Sequence, residues 1–94
     1  MTFTPEAAQD ILDAIQWYEQ QRDGLGKRFR SSLETVFEQI ARMPDLHRVI
    51  YLCVRRALTP GFPFSVYYRV DQGEVVILAV IHTSRDPDRW KSRL

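Results

Sequence analysis

Seven consecutive apolar residues, Val75-Val76-Ile77-Leu78-Ala79-Val80-Ile81, constrain this chain more than any other stretch of it. A short run of β-branched and aliphatic side chains predicts a strand, and a strand with no polar alternation needs cover on both of its faces. The 94 residues make one domain, spanning 1–94, with material for a single helical layer. One side of the sheet is therefore expected to be covered by something other than this chain's helices.

Composition narrows the class. An apolar share of 45% with 27% charged residues is that of a globular protein and excludes a disordered one. The lone cysteine, Cys53, cannot form an internal disulfide, which fits a reducing cytoplasm. Between Leu52 and Val54 it reads as a small buried hydrophobe rather than a reactive thiol. The opening Met-Thr-Phe-Thr-Pro has neither the basic start nor the apolar core of a signal peptide. No segment approaches the roughly 20 apolar residues that span a bilayer, so a soluble, cytoplasmic protein with no membrane partner is expected. Two histidines, one cysteine and scattered carboxylates give no metal-ligand spacing, and no glycine loop could cradle phosphate. No cofactor is predicted.

Charge divides the chain. Residues 1–46 carry five Lys/Arg against eight Asp/Glu, a net −3, and residues 47–94 carry eight against four, a net +4. The basic half is where an anionic partner, nucleic acid or an acidic protein segment, would be met. A solvated basic face accounts equally well for charge alone.

The first half reads as a helical hairpin. Thr4-Pro5-Glu6 offers an N-cap, a proline at the first helical position and an acid in the first turn. Ala8, Ile11, Leu12, Ile15 and Tyr18 then recur at helical spacing, predicting a helix from Pro5 to Arg22. Two glycines in Asp23-Gly24-Leu25-Gly26 break it. Leu25, Phe29, Leu33, Val36, Phe37, Ile40 and Met43 form a second stripe, ended by Pro44. Trp17, Tyr18, Phe29 and Phe37 are expected in the core.

The second half reads as a strand meander: Val54 to Leu58, a turn at Thr59-Pro60-Gly61, Phe64 to Val70, a hairpin at Asp71-Gln72-Gly73-Glu74, and the apolar strand. A two-residue Gln72-Gly73 loop pairs Tyr68 with Ile77 and Pro63 with His82. Strict alternation along the last strand places Val75, Ile77, Ala79 and Ile81 under the helices with Phe64, Val66, Tyr68 and Val70. It leaves Val76, Leu78 and Val80, beside Tyr67, on the face open to a partner. The meander should also let Arg55 or Arg56 approach His82 and Arg85.

A hairpin with the Gly24-Leu25-Gly26 turn is followed by Val54-Arg-Arg-Ala-Leu58, Phe62-Pro63-Phe64-Ser-Val-Tyr-Tyr68-Arg69, an apolar last strand and His82-x-x-Arg85-x-Pro87-x-x-Trp90. This order resembles the RelE/ParE superfamily of type II toxin-antitoxin toxins, most closely its ParE-like, plasmid-stabilisation branch. The resemblance implies an α+β fold, a two-helix hairpin packed on one face of a small, mainly antiparallel sheet of three to four strands. It also implies a cognate antitoxin, here expected along Val76, Leu78, Val80 and Tyr67, with a second copy of the chain as the alternative occupant. Family members open with a full strand beside the last one; here only Thr2-Phe3-Thr4 precedes the helix, so that strand is very short or absent.

Two activities occur in such a superfamily. RelE-like members cleave messenger RNA on the ribosome, chemistry that needs a base, an acid and cations for the developing charge. His82 is the candidate for proton transfer, with Arg56 and Arg85 as candidates to hold phosphate. ParE-like members bind DNA gyrase and need no catalytic residue. The strands contain no lysine and the C-terminal end no tyrosine, both frequent in the ribonucleases, so the non-enzymatic branch is preferred. Arg85, Arg89 and Trp90 are then the expected target contacts. Their plainer roles are a structural histidine at a strand end, a local ion-pair cluster of Arg85 with Asp86 and Asp88, and a tryptophan closing the core. A non-toxic partner-binding domain of the same fold is a third reading.

Overall fold

A computed structural model describes residues 1–84 and 88–94. Arg85, Asp86 and Pro87 lie outside the described residues, and with them the roles expected of Arg85. In chain order the elements are β1 (Thr2–Phe3), α1 (Pro5–Gln21), α2 (Leu25–Arg42), β2 (Val49–Tyr51), β3 (Val54–Leu58), β4 (Phe64–Asp71), β5 (Glu74–His82) and a C-terminal 3-10 turn (Arg89–Arg93). Among the described residues the sheet has five strands in the order β1-β5-β4-β3-β2, with β1 parallel to β5 and the rest antiparallel. The expected α+β fold is present, and two short edge strands enlarge its sheet.

The helical hairpin forms where its signals lie. Thr4 Oγ1 accepts from the Ala7 N–H at 3.1 Å, capping α1. Gly24, at φ 86°, takes the left-handed conformation that starts α2. Its missing side-chain cap is supplied by Glu19, whose carboxylate accepts from the Gly24 N–H at 2.9 Å and the Gly26 N–H at 3.1 Å. A Cβ on Gly26 would stand 2.6 Å from the Ile15 carbonyl, so glycine lets the helices cross at close range. The buried stripe of α1 is rotated from the expected one: Ala7, Asp10, Ala14 and Tyr18 are buried, whereas Ala8, Leu12 and Trp17 are exposed. Small Ala7 and Ala14 allow closer approach to the sheet than Leu12 and Trp17 could. On α2 the stripe holds except for exposed Met43.

One bulge reorganises the sheet faces. The β4–β5 hairpin has the expected two-residue loop, with Gln72 and Gly73 at φ 51° and 81°, and Tyr68 pairs with Ile77. Tyr67, however, pairs with Ala79, so Leu78 is an extra residue on β5 and His82 meets Phe64 rather than Pro63. Beyond the bulge the alternation is reversed. Val75, Ile77 and Val80 pack under the helices with Phe64, Val66 and Tyr68. Leu78, Ala79 and Ile81 join Val54, Tyr67 and Trp90 in a second core on the opposite face.

The second face is therefore not open. Tyr67, Leu78 and Val80 are 1%, 2% and 1% exposed, and Val76 is half-buried. The expectation of a bare face is corrected twice, by the bulge that turns Val80 inward and by the C-terminal turn that lays Trp90 over the rest. Cys53 is corrected too. It is exposed, because Leu52-Cys53 makes the tight turn between β2 and β3, with Leu52 at φ 50°.

Candidate functional site

The end of β5 carries the acid–base candidate. His82 is half-buried, its ring edge-on to Phe64 at 5.6 Å, and its Nδ1 accepts from the Ser84 N–H at 3.2 Å. Beside it is a cleft of ≈ 250 Å³ whose walls include Asp10, Asp13, Trp17, His82 and exposed Arg89. Arg56 is not part of this place. It pairs with Tyr67, whose partner on β5 is Ala79, three residues before His82. Two strand spacings and three residues of rise separate the backbones by roughly 14 Å. Arg55 is turned to the helical side, where its guanidinium donates to the carbonyls of His47 at 2.6 Å and Asp45 at 3.2 Å. The expected convergence of Arg55 or Arg56 on His82 does not form.

Trp90 is 3% exposed, stacked on Tyr67 at 5.1 Å with 18° between the rings and edge-on to Tyr51 at 5.6 Å. It closes the core, as its plainer reading held, and a residue so covered offers little surface to a target. Lys91 Nζ lies 4.9 Å from the Tyr51 ring centre and 3.2 Å from the Asp88 carboxylate.

The turn is held by a buried ion pair that sequence reasoning missed. Arg93 donates to both carboxylate oxygens of Asp10, at 2.6 and 3.0 Å, with side-chain exposures of 11% and 5%. The same pair completes the sheet edge. Because β1 is so short, the Leu78 carbonyl and the Val80 N–H have no strand to pair with; Arg93 donates to the first at 3.0 Å and Asp10 accepts from the second at 3.0 Å. Hydrogen bonding to Asp10 raises the Arg93 pKa further. A signal existed, since an acid at position 10 lies midway along the stripe that runs from Ala7 to Ala14.

On the outer side of the helices, Phe3, Ile11, Leu12, Ile15, Leu33 and Phe37 line an apolar groove of ≈ 470 Å³, rimmed by the Arg30–Glu34 pair at 3.2 Å. Among the described residues no group of His, Cys, Asp and Glu could hold a metal ion, and no helix is long and apolar enough to cross a membrane.

A helical hairpin on one face of a mixed, mainly antiparallel five-stranded sheet defines a small α+β domain. Over residues 1–87 the sequence matches the family of the ParE toxin of type II toxin-antitoxin systems, parDE, and the chain belongs to that family. A solved structure described as the chromosomal ParDE toxin-antitoxin system from P. aeruginosa has the same fold, with a TM-score of 0.65 and 20% identity, covering 86% of this chain and 91% of that one. No curated protein matches the sequence.

Proposed function

We propose that the chain arrests bacterial growth in the cytoplasm by binding a protein target of the DNA gyrase type, without catalysis, and that a cognate antitoxin neutralises it in a hetero-oligomer. The observation that favours the non-catalytic reading is the separation of Arg56 from His82, which stand on different strands and at different levels of the sheet. Family membership supports the antitoxin. The groove between α1 and α2 is the surface best suited to receive it, since Leu78, Val80 and Tyr67 are already covered within the chain and Val76 is half-buried.

Induced expression should stop growth, and co-expression of the neighbouring antitoxin gene should restore it. Purified protein should inhibit supercoiling by gyrase and leave ribosome-bound messenger RNA whole. A second reading, ribosome-dependent ribonuclease, draws on the cleft shared by His82 and Arg89. It requires His82→Ala to cut RNA cleavage by about 100-fold or more. RNA cleavage by the wild-type chain, lost in that variant, would replace the gyrase reading.

A further inference from the structure

We infer that the sheet face opposite the helices is a second interaction surface, built to take an acidic, partly apolar segment of a protein partner. Strand alternation puts Arg56 and Leu58 on the same face as Val54, and Arg69 on the same face as Tyr67. Arg56 stands opposite Tyr67, and Arg69 lies two residues further along β4, so the two guanidinium-bearing residues are diagonal neighbours about 7–8 Å apart at the backbone. They flank the Tyr67–Trp90 stack.

Neither guanidinium is held by an ion pair or a side-chain hydrogen bond among the described residues. Two like charges set side by side repel until an anion is brought between them. Among the described residues the acids near this face are Asp88, which bonds Lys91 at 3.2 Å, Glu74, which holds the N-terminal ammonium at 2.9 Å, and Asp71, which stands two residues beyond Arg69 on the same face at the β4–β5 hairpin. Lys91 adds a third cation over the Tyr51 ring.

The apolar part of the surface favours protein over nucleic acid. Leu58, 64% exposed, sits beyond Arg56 on the same strand, and Tyr51 is also exposed. Interfaces with nucleic acid are more polar and more basic than this. A carboxylate-bearing segment with leucine-like side chains satisfies both features at once. The inference deepens the proposed binding of a protein target, because it assigns that target a surface distinct from the groove proposed for the antitoxin.

The test uses the full chain carrying Trp17→Phe, so that Trp90 alone reports by fluorescence, and a peptide alternating Glu and Leu as the probe. The parent protein should bind this peptide at least tenfold more tightly than its Gln-for-Glu counterpart, and Arg56→Glu/Arg69→Glu should remove that preference. Melting temperature and antitoxin affinity should be unchanged in the charge-reversed protein. Leu58→Ser should weaken peptide binding in a protein that still discriminates Glu from Gln. Equal binding of the two peptides, or tighter binding of a single-stranded oligonucleotide than of the acidic peptide, would overturn the inference. In cells the double reversal should lose growth arrest while still capturing antitoxin, and full arrest by it would also overturn the inference. Should the wild-type chain fail to arrest growth while the acidic peptide still discriminates, the toxin reading falls and this surface stands.

Discussion

The two faces of the sheet are covered by unequal means. Under the helices, Tyr18, Phe29, Phe62 and Phe64 lock together with ring centres 4.9 to 5.8 Å apart, and two long helices share the burial. Opposite, one five-residue turn carries one tryptophan over Tyr67, and one ion pair ties that turn down. Redundant packing tolerates the loss of a member, whereas a single anchor does not. Stability on the second face should therefore be concentrated in a few residues.

Trp90→Ala is expected to have the largest effect. Removing a buried tryptophan costs about 3–5 kcal/mol, and here it would uncover Tyr67, the ring on which Trp90 stacks. Thermal melting should fall steeply, and a dye that binds exposed apolar surface should bind the variant under native conditions. A loss below about 1 kcal/mol would mean that the turn is an ornament on a face stable without it.

Asp10→Asn should come next, at about 3 kcal/mol, because it removes the carboxylate paired with the Arg93 guanidinium in a largely covered site and leaves only the more distant charge of Glu6. Hydrogen exchange at the Val80 amide should quicken specifically, since that amide donates to Asp10. Replacing both partners by leucine should cost less than Asp10→Asn alone. An additive double replacement would show that the two side chains act independently and would weaken the picture of a single clamp.

These two residues also mark where sequence reasoning stopped. The helix limits, the Thr4 cap, the Gln72-Gly73 turn and the Tyr68–Ile77 pairing follow from local chemistry, because each is fixed by residues a few positions apart. Alternation along β5 failed at Leu78, since a bulge is set by how two cores must be filled and leaves no local signature in an all-apolar run. One inserted residue moved Val80 and His82 to the helical face and Ala79 and Ile81 to the other. The Asp10–Arg93 pair spans 83 positions, so spacing along α1 can mark Asp10 as an acid within the stripe but not reveal its partner. Arg56 and His82 were expected together because a meander brings strand ends near one another, yet register places them at different levels.

On the helical side a smaller effect is expected from Gly26→Ala. Its new methyl would press on the Ile15 carbonyl, 2.6 Å away, and α1 and α2 would have to separate. Overpacking of this kind costs about 1–3 kcal/mol. Because the helical face is redundantly packed, the variant made in the Trp17→Phe background should still fold cooperatively, with Trp90 fluorescence unchanged in the native state. A shifted Trp90 signal would show that the two faces are coupled through the sheet.

The smallest expected effect is one of pH, and it sharpens the same contrast. His47, between α2 and β2, has its Nδ1 3.3 Å from the Tyr68 hydroxyl, which itself donates to the Pro44 carbonyl at 2.8 Å. Burial lowers the His47 pKa from 6.5, and the nearby Arg55 guanidinium lowers it further. The folded chain thus binds this proton less readily than the unfolded chain, so His47 favours folding fully above about pH 6.5 and progressively less as pH falls through that value toward the depressed one. Melting temperature should decline modestly between pH 7 and 5, and His47→Gln should flatten the decline. Amides around Pro44 to Tyr51 should exchange faster in acid, while the Val80 amide on the clamped edge keeps its protection. A pH dependence that persists in His47→Gln would move its source to other titrating groups of the chain.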